Sequence, residues 1–149
     1  MTIILSSAVC IALLASGIFF MTGLLTGLWK YRCIRAHPQA QAPFYVNTVH
    51  RAALMYAFSA QLIAVFAALS VLPNWLNTIA VLLLIVFFAL AIIHYIQLGL
   101  STDSNNSLRD SPNKEKDYMI LNILTVAEIS GFSILLLGFI LRLFGIIFD

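Results

Sequence analysis

Four long apolar stretches, separated by short polar ones, set the pattern of this chain. Residues 3–29 hold no charge, 52–72 follow His50-Arg51 directly, and 76–100 and 118–143 flank a polar interval. Each reaches the roughly 20 apolar residues that a helix needs to cross a bilayer. Pro73, Asn74 and Asn77 mark a tight turn between the second and third stretches. Residues 101–117, rich in Ser, Asn and Asp and holding Pro112, read as a soluble loop. Spans of this length without period-2 alternation satisfy their backbone groups in lipid only as helices. The expected fold is all-α: an integral membrane four-helix bundle forming one transmembrane domain over 1–149. No tandem repeat is visible. The first stretch is no signal peptide, because it lacks a basic leader and its apolar run far exceeds about 15 residues. A retained anchor is expected.

Composition agrees and narrows the class. Of 149 residues, 62% are hydrophobic and 9% charged, and mean hydropathy is +1.00. Soluble domains run at about 45–50% apolar and about 25% charged. A secreted disulfide scaffold, a disordered tail and a nucleic-acid-binding domain are excluded; the expected surroundings are a lipid bilayer.

The net charge of +2 comes from few groups, so their positions carry the information. Lys30, Arg32, Arg35 and Arg51 surround the first loop, while Arg109, Lys114 and Lys116 occupy the 101–117 loop. The opposite side has only Arg142. Positive charge marks the cytoplasmic side, so both termini are expected on the non-cytoplasmic side, in the inner membrane if the source is bacterial. Cys10 and Cys33 would lie roughly 34 Å apart along one helix and are not expected to pair. There is no CxxC, P-loop, GxGxxG or HExxH pattern, and no metal site is expected. Gly23-Leu24-Leu25-Thr26-Gly27 is a GxxxG match that lets two backbones approach closely.

Polar residues inside spans need a reason. Glu128 lies eleven residues beyond Asp117, about 16 Å along a helix and near the midplane. Gln61 reaches a similar depth from Arg51. The plain reading of Glu128 is a protonated carboxyl in an interhelical hydrogen bond; the sharper one is a proton-handling or ligand-facing group. Asn122 and Thr125 precede it at steps of three, giving one polar face directed into the bundle or at a neighbouring subunit. Arg51 is expected to open the second helix, either as an interfacial anchor or as a clamp for a carboxylate. His50 beside it reads as solvated, or as a haem axial ligand. His94, with Tyr95 inside the third span, calls for a partner, and Glu128 matches it in depth. Lys30, Arg32 and Arg35 suit anionic lipid or an anionic substrate.

The layout resembles the MAPEG superfamily of membrane proteins in eicosanoid and glutathione metabolism. Val49-His50-Arg51-Ala52 is similar to the start of that family's second helix, and His94-Tyr95-Ile96-Gln97 looks like its third-helix segment. The resemblance implies a homo-oligomer, commonly a trimer, with glutathione between subunits and a lipophilic co-substrate arriving from lipid. Arg51 would bind a glutathione carboxylate, and Tyr95, Gln97 and His94 would line the site with Lys30 and Arg35. Arg109 or Arg32 would be catalytic, favouring the thiolate nucleophile. The chain departs from the family at Met55 and Phe58, where Asn and Glu usually face glutathione, so a glutathione site here is expected to be altered or lost.

A second resemblance is to styrene oxide isomerase and hydroxylaminobenzene mutase, carried by Gly23–Leu28 and His50. It implies haem b held at His50. The expected functions are a glutathione-dependent transferase or peroxidase for lipophilic substrates, a haem-bearing membrane isomerase, or a non-catalytic small membrane subunit.

Overall fold

A computed structural model describes residues 5–101 and 104–145. Within it the chain runs α1 (Ser7–Ala36), α2 (Phe44–Leu69), α3 (Asn74–Ser101), α4 (Ser107–Asp110) and α5 (Lys114–Leu143). Four of these helices are long and apolar enough to cross a membrane. The protein is an all-α, multi-pass membrane bundle. Its expected start at residue 3 lies outside the described residues.

The helices overrun the apolar spans, chiefly at the end that carries the basic loops. Nothing breaks α1 after Trp29, so it carries Lys30, Arg32 and Arg35 as a continuation of the same rod. α2 begins at Phe44 behind Pro43, not at Arg51. Proline's fixed φ suits a helix start, and Phe44-Tyr45-Val46 supply apolar packing before the first charge. Arg51 therefore sits two turns inside α2, which corrects the sequence-based boundary. α5 starts early too, because the Asn113 side chain accepts from the Lys116 amide at 3.1 Å and caps it. The 101–117 loop contains one helical turn, α4, capped in the same way by Asn106.

Side-chain size sets the packing. α1 buries Ala8, Ala12, Ala15, Ser16, Phe19, Gly23 and Thr26, while α2 buries Ala53, Ala57, Ala60, Ala64 and Ala67 at alternating steps of four and three. Ser16 Oγ donates to the Ala57 carbonyl at 2.9 Å across this seam. A Cβ on Gly23 would come within 2.6 Å of Leu54 Cδ2, and one on Gly27 within 2.9 Å of His50 Cε1. The GxxxG pair thus serves the α1–α2 contact. Cys10 and Cys33 are free thiols.

α5 joins differently. Its buried residues are Ala127, Gly131, Leu135 and Gly138, so burial begins only near its middle. Gly131 lies against the Ala80 carbonyl and Leu84 of α3, and Gly138 against Ser70 and Leu72. No residue from 118 to 126 is buried. At the end away from the basic loops, Arg142 Nη1 donates to the Leu69 carbonyl at 3.3 Å and Asn74 Nδ2 to Ser7 Oγ at 2.7 Å.

Candidate functional site

Along one side of α2 a groove holds two cavities, of which only the second is lined by α5. One, of about 240 Å³, is lined by Thr48, Arg51, Ala52, Met55, Tyr56 and Tyr95. The second, of about 410 Å³, is lined by Ser59, Leu62 and Ile63 of α2, Leu84 and Phe88 of α3, and Glu128, Ile129, Phe132 and Ser133 of α5. On α2 these residues form one stripe at steps of three and four, from Thr48 to Ile63. That run covers about 22 Å along the axis. A single helix face thus links a guanidinium at the basic end to a carboxyl near mid-span.

Aromatic contacts hold the groove's walls. Tyr45 and Tyr95 stack with centroids 6.2 Å apart, and the Tyr45 hydroxyl accepts from the Ser107 amide at 2.6 Å. This ties the 101–117 loop to the mouth of the first cavity. Tyr56 stacks on Phe88 at 4.3 Å and divides the two cavities, since each ring lines a different one. Phe132 meets Phe66 edge-on at 5.1 Å.

Thr48 and Ser59 of the groove donate to carbonyls of their own helix, at 2.9 Å each, but its two ionisable end groups lack partners. Among the described residues Arg51 makes no hydrogen bond or ion pair, and the one ion pair joins Arg109 to Asp110. Glu128 Oε1 is buried without a hydrogen-bond partner. The interhelical hydrogen bond expected of Glu128 is absent among the described residues, because the nearest α2 and α3 side chains lining the cavity are Ser59 and apolar groups.

Of the sequence-derived candidates, Arg51 and Tyr95 meet at one cavity and Glu128 enters the other. His94 is exposed, with its ring centroid 6.2 Å from that of Tyr95; among the described residues it does not pair with Glu128, since equal depth on two helices does not give facing sides. Gln97, Lys30, Arg32 and Arg35 line neither cavity. Arg109 lies on α4, with Nε 2.7 Å from Asp110 Oδ1. That contact pulls the Asp110 carboxyl down to about 2 and holds Arg109 more firmly protonated. Gln61, Asn122 and Thr125 are exposed. The polar face expected of α5 is therefore split: Asn122 and Thr125 face outward, whereas Glu128, next to the buried Ala127, enters the cavity.

His50 is half-buried at the α1–α2 seam, its Nδ1 donating to the Gly23 carbonyl at 2.9 Å. A carbonyl only accepts, so Nδ1 carries the proton and Nε2 is left for another use. Among the described residues, no three His, Cys, Asp or Glu side chains gather as a metal site. Tyr56, Phe88, Phe132, Ser59 and Ser133 were not evident as site residues from sequence; Tyr56 and Ser59 share a helix with Arg51, and Phe132 and Ser133 with Glu128, whereas Phe88 is on α3 with Tyr95. No protein family, curated protein or solved structure matches the chain.

Proposed function

We propose that the groove binds an anionic, glutathione-type ligand at Arg51, with a lipophilic co-substrate along its apolar length, in a MAPEG-like transferase or peroxidase. The observation that carries this reading is the meeting of an unpaired Arg51 with Thr48, Tyr56 and Tyr95 at one cavity. A guanidinium fork favours a carboxylate, and the phenols of Tyr56 and Tyr95 offer further hydrogen bonds. Lys30, Arg32 and Arg35 extend from α1 at the same end and would draw an anion toward it. The basic end is then cytoplasmic. Arg109 would act on the sulfur only after leaving Asp110, so binding is better supported than turnover.

Assembly as a homo-oligomer belongs to the same proposal. Gln61 and Asn122 present amides on exposed faces of membrane-spanning helices, where lipid tails offer no hydrogen bond. A neighbouring copy would supply the partners, and a site between copies would bring basic side chains of one chain toward Arg51 of another.

Calorimetric titration of glutathione into the detergent-purified protein tests the reading. We expect saturable binding that weakens at least tenfold in Arg51→Ala, the loss typical of a charge-assisted contact of about 1.5–3 kcal/mol. Equal affinity in both proteins, or no binding to the wild type, overturns it.

Haem ligation at His50 is the second reading. It is favoured by the Nδ1–Gly23 contact, since axial histidines commonly fix their free nitrogen by such a second bond. Against it, His50 lines neither of the two cavities. A Soret band that His50→Ala abolishes would reverse the ranking.

A further inference from the structure

We propose that the mid-membrane cavity at Glu128 is a binding site for a lipophilic organic cation. The site is separate from the Arg51 cavity, with which it shares no lining residue. Three observations converge on this ligand class.

The first is an acid without a counter-ion. Glu128 lines the cavity, its Oε1 is buried and unpartnered, and no Lys, Arg or His is among the lining residues. Arg51 lies eight residues before Ser59 on α2, about 12 Å away along the axis. A carboxyl left alone in hydrocarbon is costly, and a cationic ligand supplies the charge that the chain does not.

The second is the wall. Phe88 and Phe132 line the cavity, each braced by a second ring, Tyr56 and Phe66. Aromatic rings attract cations through their quadrupole, most strongly where water is excluded. The remaining lining is Leu62, Ile63, Leu84 and Ile129 with two serines. A small inorganic cation is disfavoured, because hard ions take about six oxygen ligands and the cavity has one carboxyl and two hydroxyls. A bulky cation with apolar substituents uses everything present, and about 410 Å³ falls within the range of small-molecule sites.

The third is access. Leu62 and Ile129 are 51% and 64% exposed and stand on the rim between α2 and α5. The groove opens sideways toward the acyl chains, so a ligand that partitions into the bilayer reaches Glu128 without passing the basic end.

Tetraphenylphosphonium is a suitable probe, because its charge is permanent and buried among phenyl groups. Its binding to the full-length, detergent-purified protein is measured by equilibrium dialysis, with neutral triphenylphosphine as competitor. We expect saturable binding that Glu128→Gln weakens at least tenfold. Ser59→Trp, which fills the cavity from α2 and leaves the carboxyl in place, should abolish it. Triphenylphosphine should compete poorly. The proposal is overturned if Glu128→Gln or a monodisperse, helical Ser59→Trp binds the cation as tightly as the wild type. It is equally overturned if the neutral competitor matches the cation, or if uptake does not exceed that of empty micelles.

Discussion

α2 has two working sides, and side-chain size separates them. Toward α1 it presents Ala53, Ala57, Ala60, Ala64 and Ala67, all buried. There the backbones come close enough for Ser16 to reach the Ala57 carbonyl and for His50 to reach that of Gly23. On its other side it presents Met55, Tyr56, Ser59 and Leu62, which line cavities instead of meeting a second backbone. Helices in lipid are not driven together by hydrophobicity, so close approach through small residues is what holds them. Where that approach is given up, over the first half of α5, the unpaired polar groups collect. The tight side of α2 is a scaffold, and the loose side is where a ligand fits.

Breaking the tight side should have the largest effect. Gly23→Leu forces its side chain into Leu54, whose Cδ2 a Cβ alone would approach to 2.6 Å. Overpacking of this kind costs about 3 kcal/mol. Gly17 on the same helix has nothing within 4 Å of a Cβ, so Gly17→Leu should leave stability within about 0.5 kcal/mol. Unfolding in graded denaturing detergent compares the two. Equal behaviour would mean that the seam contributes no more than any lipid-facing position.

The tight side was also the more legible one. The four apolar runs, the turn at Pro73 and the glycine pair appear in the sequence because length and spacing alone define them. The starts of α2 and α5 did not, since Asn47, Thr48, His50 and Arg51 have a loop's composition although they extend a helix past the hydrocarbon. The groove was only half legible. Arg51, Tyr95 and Glu128 stand out as polar groups near or within apolar runs, whereas Phe88, Phe132 and Leu62 look like any lipid-facing residue. Hydropathy cannot tell a side chain against a cavity from one against an acyl chain, because both surroundings are apolar. His94 shows the opposite failure: depth is readable from sequence, but facing direction depends on how α3 is rotated.

A smaller effect is expected at the mouth of the loose side. Tyr45 is 5% exposed and ties α2 to the 101–117 loop by accepting from Ser107. Tyr45→Phe keeps the stack on Tyr95 but removes the acceptor, at a cost of about 1 kcal/mol. Hydrogen exchange at the Ser107 amide should accelerate about fivefold, with mid-helix amides of α1 and α2 unchanged. If exchange rises in those helices too, Tyr45 belongs to the scaffold and the comparison between the two sides has been drawn in the wrong place.

The smallest effect concerns Asp110, which keeps Arg109 occupied outside the groove. The pair is exposed, with side chains 62% and 40% accessible, so global stability at neutral pH should not respond measurably to Asp110→Asn. The local signature is a titration. Asp110 has its ordinary value of 3.8 lowered to about 2 by hydrogen bonds from Arg109 and Ser104. Its contribution is therefore present in full above the ordinary carboxylate range and is lost as pH falls through about 2. The Arg109 Nε–H resonance should move over that acidic window in the wild type and stay fixed in Asp110→Asn. A midpoint near 3.8 would mean that the pair does not hold in solution and that Arg109 is free to turn toward an anion at Arg51. That outcome would weaken the separation of binding from turnover, because the thiolate-stabilising cation would then be available at the basic end without first breaking an ion pair.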